Sequence, residues 1–131
     1  RRVVWTNGCF DLLHAGHVLY LMRARDSGDA LVVGLNSDQS VRDNKGPGRP
    51  VFNEEHRKEM LLALRCVDEV IVSRSLIPMV ELLASIRPDV YVKGREYEGR
   101  LPEQAALEAM GIRVVFTDTV VFSSTQLLGW L

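Results

Sequence analysis

Five apolar runs of strand length punctuate this chain, and each is separated from the next by a segment patterned or capped as a helix. The runs are Val3 to Thr6, Ala30 to Asn36, Val67 to Ser73, Asp89 to Gly94 and Ile112 to Thr117. Between them, Ala15 to Ser27 sets Val18, Leu21 and Met22 on one helical face and ends at Gly28. Asn53 caps a helix whose first turn holds Glu54 and Glu55 and whose apolar face is Met60, Leu61 and Leu64. A further helix runs from about Ile77 to Ile86, entered near Pro78 and stopped before Pro88, and another through Ala106, Leu107 and Met110 is framed by Pro102 and Gly111. Strands that are apolar throughout must be covered on both faces, and helical crossovers between them make the strands parallel.

The alternation therefore predicts an α/β fold, a Rossmann-like three-layer αβα sandwich on a five-stranded parallel sheet, with ligands bound at the carboxyl ends of the strands. The polar stretch from Ser37 to Pro50 reads as an ordered turn leading into a mobile loop, because its second half holds two Gly, two Pro and two cations. A last short helix capped by Ser123 is expected to run through Leu128.

A length of 131 residues suits one domain, 1–131, and a composition of 47% hydrophobic and 25% charged residues argues against disorder. Sixteen basic and 17 acidic residues leave a net charge of -1, which excludes a domain that coats itself on nucleic acid or an anionic membrane. No apolar run approaches the ~20 residues of a membrane span, and the leading RRVVW lacks the features of a secretion signal. Cys9 and Cys66 form no CxxC pattern, so a reducing, cytoplasmic setting with packed cysteines is expected.

The chemistry concentrates in TNGCFDLLHAGH, Thr6 to His17, between the first strand and the first helix. His14 precedes the helix and His17 lies in its first turn, so both imidazoles can reach one point above the helix N-terminus. That terminus is itself an anion site, and Gly16 between the histidines lets a ligand approach the backbone. Two histidines without a third ligand make a poor zinc site, so phosphate chemistry is the better use.

The same string resembles the hallmark T-x-G-x-F-D-x-L-H-x-G-H of the cytidylyltransferase-like nucleotidyltransferases, and Thr6, Gly8, Phe10, Asp11, Leu13, His14, Gly16 and His17 meet every fixed position. FSSTQLL, Phe122 to Leu128, resembles the family's second element, which opens the last helix. Its Ser123, Ser124 and Thr125 would offer hydroxyls and N–H groups to nucleotide phosphates. The stretch NSDQSVRDNKGPGRPV resembles the family's segment after strand two, in which a lysine reaches the phosphates, and Lys45 matches it.

What this resemblance implies is direct in-line attack by an acceptor phosphate on the α-phosphorus of a nucleoside triphosphate, with release of pyrophosphate and with Mg²⁺ offsetting charge. His14, His17 and Lys45 are then the catalytic residues. Thr6, Gly8, Phe10, Gly16, Ser123, Ser124 and Thr125 bind the nucleotide. Arg49 and Arg57 are further phosphate contacts, Asp11 and Asp38 candidates for the acceptor or Mg²⁺, and Lys93 another substrate contact. A homodimer is expected, since the family commonly forms one, with Tyr20, Met22 and Phe52 as candidate interface residues, although ordinary core packing explains these three as well.

Within the family, VKGREYEG, RPDVYVKG and NSDxSVRxxKGxxRPV resemble the enzymes that adenylylate heptose 1-phosphate. Arg95 and Glu96 depart from the usual K-G-G-D-Y of that group. Asp118 to Val121 replaces the R-T-x-G of the glycerol-3-phosphate cytidylyltransferases. ATP and a sugar phosphate such as D-glycero-D-manno-heptose 1-phosphate are thus the expected substrates, with CTP and glycerol 3-phosphate the alternative. A dinucleotide-dependent oxidoreductase would need GxGxxG after strand one, which is missing. A regulatory module without catalysis would have no need of His14, His17 and Lys45 together.

Overall fold

The computed structural model describes residues 1–73 and 76–118, with the backbone alone for 76–79. The elements run β1 (Val3–Gly8), α1 (Ala15–Arg25), β2 (Ala30–Asn36), α2 (Asp38–Lys45), α3 (Glu54–Leu62), β3 (Glu69–Ser73), α4 (Leu76–Ile86), β4 (Val90–Gly94), α5 (Gln104–Ala109) and β5 (Arg113–Thr117). A short 3₁₀ turn, Arg95–Tyr97, follows β4.

All five strands are parallel, in the order β3-β2-β1-β4-β5. Alternate residues of each strand face opposite layers. Val4, Leu31, Val33, Val70, Val90 and Val92 pack with Leu21 and Ala24 of α1 and Leu61 of α3. On the other face Trp5, Tyr91, Val32, Ile71, Val114 and Phe116 pack with Leu83 of α4 and Leu107 of α5. The three-layer sandwich expected from the apolar runs is thus present. Gly34 in β2 lets the Trp5 indole lie against its main chain, where a Cβ would collide with the ring.

Differences from the expected elements are local. Strand β1 continues to Gly8, and α1 ends at Arg25, two residues early. Met22 and Met60 are exposed, because the buried faces of their helices centre on Leu21 and Leu61. Pro102 stands two residues ahead of α5 rather than within it. The polar segment after β2 is the main correction. Asp38–Lys45 is a helix, capped by the Ser37 hydroxyl, which accepts from the Ser40 N–H at 3.2 Å, and anchored by buried Val41. The expected helix at Ser123 lies outside the described residues.

Candidate active site

From β1 the chain steps to β2 and β3 on one side, whereas β4 and β5 lie on the other, so the order reverses between β1 and β4. In such a sheet the crevice at the carboxyl ends of those two strands is where ligands bind. The loop after β1 and the turn after β4 flank that crevice and enclose a cavity of about 350 Å³. Its lining includes His14, His17, Lys45, Arg49, Lys93 and Glu96.

His14 is the N-cap of α1, in extended conformation, and its Nδ1 accepts from the Gly16 N–H at 3.0 Å. His17 Nδ1 accepts in turn from the His14 N–H at 3.2 Å. The pair is a capping box built from two imidazoles, satisfying two helix-end donors that would otherwise be orphaned. An Nδ1 that accepts carries no proton, so each neutral ring holds its proton on Nε2. The rings stack at 3.9 Å between centroids, and the Phe10 ring meets His17 edge-on at 5.5 Å. Burial, then the neighbouring His14 and Lys45 charges, push the His17 pKa down to about 4 against an opposing pull from Asp11. Burial lowers His14 as well. Both side chains are therefore neutral hydrogen-bond donors at ordinary pH, set at a helix N-terminus in the cavity.

Phe10 and Leu12 both adopt positive φ, 47° and 55°, an uncommon conformation for such side chains. This sharp path turns Asp11 inward. The Asp11 carboxylate, almost completely buried, accepts from the N–H groups of Val51 at 2.7 Å and Phe52 at 3.1 Å and pairs with Arg49 Nε at 3.1 Å. Burial alone would raise its pKa, but these donors hold it below the usual carboxylate value. Asp11 thus fastens the segment carrying Arg49 to the histidine loop. Its oxygens face the protein's own donors, in place of the expected acceptor or Mg²⁺.

Arg57 and Asp38 also differ from expectation. Arg57, on α3, is 1% exposed, and its guanidinium donates to the carbonyls of Phe52, Cys9 and Asn36 at 2.8 to 2.9 Å and to Asp38 Oδ1 at 2.8 Å. It joins the histidine loop, the end of β2, the start of α2 and the approach to α3, and does not line the cavity. The charge balance of a buried cation explains this: Arg57 is surrounded by acceptors the fold has to satisfy. Thr6 is likewise fully buried, its hydroxyl shared between Tyr20 Oη at 2.6 Å and the Val92 carbonyl at 2.9 Å. Gly8, Phe10 and Gly16 do line the cavity, and Lys45, exposed at the end of α2, faces it from the far side.

The β4 wall was less legible. Lys93 Nζ lies 3.4 Å from the Asn7 carbonyl and 4.7 Å from the centre of the Tyr97 ring, and burial lowers its pKa. The Asn7 amide donates to Tyr91 Oη, which donates to buried Glu103. Asn7, Cys9, Asn36 and Tyr97 also line the cavity without having been read as site residues, and so does Tyr20, which was expected at an interface but bonds to Thr6 and the Val92 carbonyl. The signal that finds them is the strand order, which sets the end of β4 beside the end of β1.

Among the described residues no three His, Cys, Asp or Glu side chains converge as metal ligands. The Asp11 and Asp38 carboxylates are engaged with N–H groups and Arg57, so these residues do not form a cage for a resident Mg²⁺. Ser123, Ser124 and Thr125 lie outside the described residues. Among the described residues no helix is long and apolar enough to cross a membrane.

The sequence matches the cytidylyltransferase-like family over residues 5–123. It is 50% identical over 126 residues to the bifunctional protein HldE of Methylobacillus flagellatus, and 49% over 129 residues to that of Syntrophotalea carbinolica. Each alignment covers 95% of this chain and 26% of the relative, so the chain spans about a quarter of the length of these proteins. The lipopolysaccharide core biosynthesis protein of Thermoplasma volcanium superposes with a TM-score of 0.75 at 29% identity, over 93% of this chain and 98% of that one. Pantothenate synthetase from Thermus thermophilus shares the fold, with a TM-score of 0.65 at 16% identity, over 97% of this chain and 61% of its own.

Proposed function

The chain belongs to the cytidylyltransferase-like family and is a nucleotidyltransferase, and from that premise we propose that it transfers AMP from ATP to heptose 1-phosphate, releasing pyrophosphate. The observation that carries the reading is the pair of Nδ1 contacts at the start of α1, which leaves two Nε2–H donors in the cavity. An oxygen of the acceptor phosphate attacks the α-phosphorus, and the bond from that phosphorus to the bridging oxygen of the β-phosphate breaks. Pyrophosphate leaves with the electron pair, and no covalent enzyme intermediate forms.

Charge gathers on the α-phosphate and the bridging oxygen during this step. His14 and His17 meet it with preorganised donors, whose alignment the backbone has already fixed. Lys45 carries the triphosphate charge, as does Arg49, held in place by Asp11. Ser124 and Thr125, with Ser123, take the β- and γ-phosphates in this reading. Mg²⁺ bound with the nucleotide would offset the charge of its phosphates, since no set of carboxylates among the described residues converges to hold the ion. Positioning and electrostatics then supply the rate. The working form in this reading is a cytoplasmic homodimer, for which sedimentation of the purified chain is the check.

The deciding experiment measures pyrophosphate release with ATP, CTP, GTP and UTP against heptose 1-phosphate, glycerol 3-phosphate and other phosphomonoesters. Release confined to ATP with heptose 1-phosphate is the expected result. A response to CTP alone would overturn the choice of base, and release in no combination would overturn the activity.

A further inference from the structure

Glu103 is a buried acid for which the transfer step has no use. It stands at the N-cap of α5, where a side chain commonly accepts from the first helical N–H groups, yet it makes no such bond. Among the described residues it also forms no ion pair. Its Oε2 accepts instead from Tyr91 Oη at 2.7 Å, and that hydroxyl accepts from the Asn7 amide at 2.9 Å. Tyr91 is fully buried, packed with Leu101, Leu107 and Ile112. Asn7 and Lys93 both line the cavity, and the Asn7 carbonyl holds Lys93 Nζ at 3.4 Å. A chain of polar contacts thus runs from the start of α5 across β4 to the cavity wall.

This chain has a direction. A carboxylate only accepts, so the Tyr91 proton points to Glu103 and the hydroxyl oxygen accepts from Asn7, whose amide is thereby oriented with its NH₂ toward Tyr91. Burial pushes the Tyr91 pKa up, and Glu103 adds to this against the Asn7 contact, so the hydroxyl keeps its proton. Burial lowers the Lys93 pKa, and the Glu103 charge is the first influence opposing it. A carboxylate buried beside a neutral hydroxyl costs stability, and such groups concentrate at functional sites.

We propose that Glu103 and Tyr91 are positioning residues of this site, holding the Asn7 amide and the Lys93 ammonium where phosphate-bearing ligands meet the β4 wall. The assignment deepens the nucleotidyl-transfer reading and rests on it for the use of the cavity. Neither residue lines the cavity, so both act through Asn7 and Lys93.

The test separates positioning from mere support of the fold. Tyr91→Phe combined with Glu103→Met removes donor and acceptor together and refills the space with apolar atoms, a change close to neutral for folding. The urea midpoint of this double variant should stay near wild type. Its kcat/KM for pyrophosphate release should nonetheless fall by about 10- to 100-fold, the scale of a small misplacement in a site. Titration calorimetry on the full chain should show affinity for ATP, for heptose 1-phosphate or for both falling by about 10-fold. Glu103→Gln keeps an acceptor for the Tyr91 proton and should recover most of the loss that Glu103→Ala shows. If the double variant fails to fold, Tyr91→Phe alone carries the same comparison per folded molecule. Wild-type turnover and affinities in a folded variant, or Glu103→Gln as impaired as Glu103→Ala, overturns the proposal. Weakened binding in variants of a chain that releases no pyrophosphate would refute the activity and leave the positioning standing, whereas unchanged turnover would refute the positioning and leave the activity.

Discussion

His14 donates its backbone N–H to Nδ1 of His17 across 3.2 Å. The contact requires His17 to be neutral, because a protonated Nδ1 has no lone pair to accept with. It also decides which nitrogen carries the proton. The HxGH spacing is therefore a tautomer lock as well as a way to bring two rings together.

The first prediction concerns pH. With a folded value of about 4, His17 stays neutral down to acid conditions, whereas an unfolded His takes up its proton near 6.5. Above 6.5 the two states bind equally few protons there. As pH falls from 6.5 toward 4 the unfolded state binds more, so stability declines, by up to ~1.4 kcal/mol per pH unit from this group. Urea denaturation at stepped pH should show this loss, and His17→Asn should lack its share of it. Long-range ¹⁵N NMR at pH 7 should find His17 protonated on Nε2; an Nδ1–H signal would contradict the lock.

Replacing the donor itself is the second. His17→Ala should lower kcat by roughly 10²- to 10³-fold, the scale of losing one preorganised donor. The effect belongs in kcat, since charge develops only in the transition state. Specific activity per folded molecule that stays at the wild-type level would refute the catalytic role.

Arg57 supports the third. Its guanidinium bridges three carbonyls and Asp38 from a buried position. Arg57→Met leaves those acceptors without their donor and should destabilise the chain by roughly 3 to 5 kcal/mol. Arg57→Lys, a point charge without the planar fork, should recover only part of this. Urea midpoints measure both, and a near-neutral Arg57→Met would mean that water replaces the fork.

The fourth tests the sheet. A Cβ on Gly34 would run into the buried Trp5 indole, and backbone on β2 has little room to yield. Gly34→Ala should cost about 1 to 3 kcal/mol, the range for overpacking a filled core. Thermal melting reads the effect, and an unchanged Tm would show that the ring can shift aside.

The five strands were legible because each is an apolar run, and burial on both faces imposes that pattern along the chain itself. The histidine loop was legible for a similar reason: His14, Gly16 and His17 act within one helical turn, so spacing encodes geometry. Helix α2 escaped notice because Asp38 to Lys45 contains a single apolar anchor, Val41, and the Ser37 cap was the one local sign of it. Arg57 read as a phosphate contact because a cation near a phosphate motif carries no mark of burial. Its four partners come from separate segments, and only their convergence shows that it faces inward.

By itself, the sequence determined the layered parallel sheet and the two imidazoles that meet at the start of α1, all set by interactions between residues a few positions apart. Tertiary structure decided the rest. The strand order placed β4 beside β1 and so brought Lys93 and Glu96 opposite the histidines. Long-range hydrogen bonds turned Asp11, Arg57 and Thr6 into supports for the cavity, because a buried polar group must find its partner wherever the fold provides one.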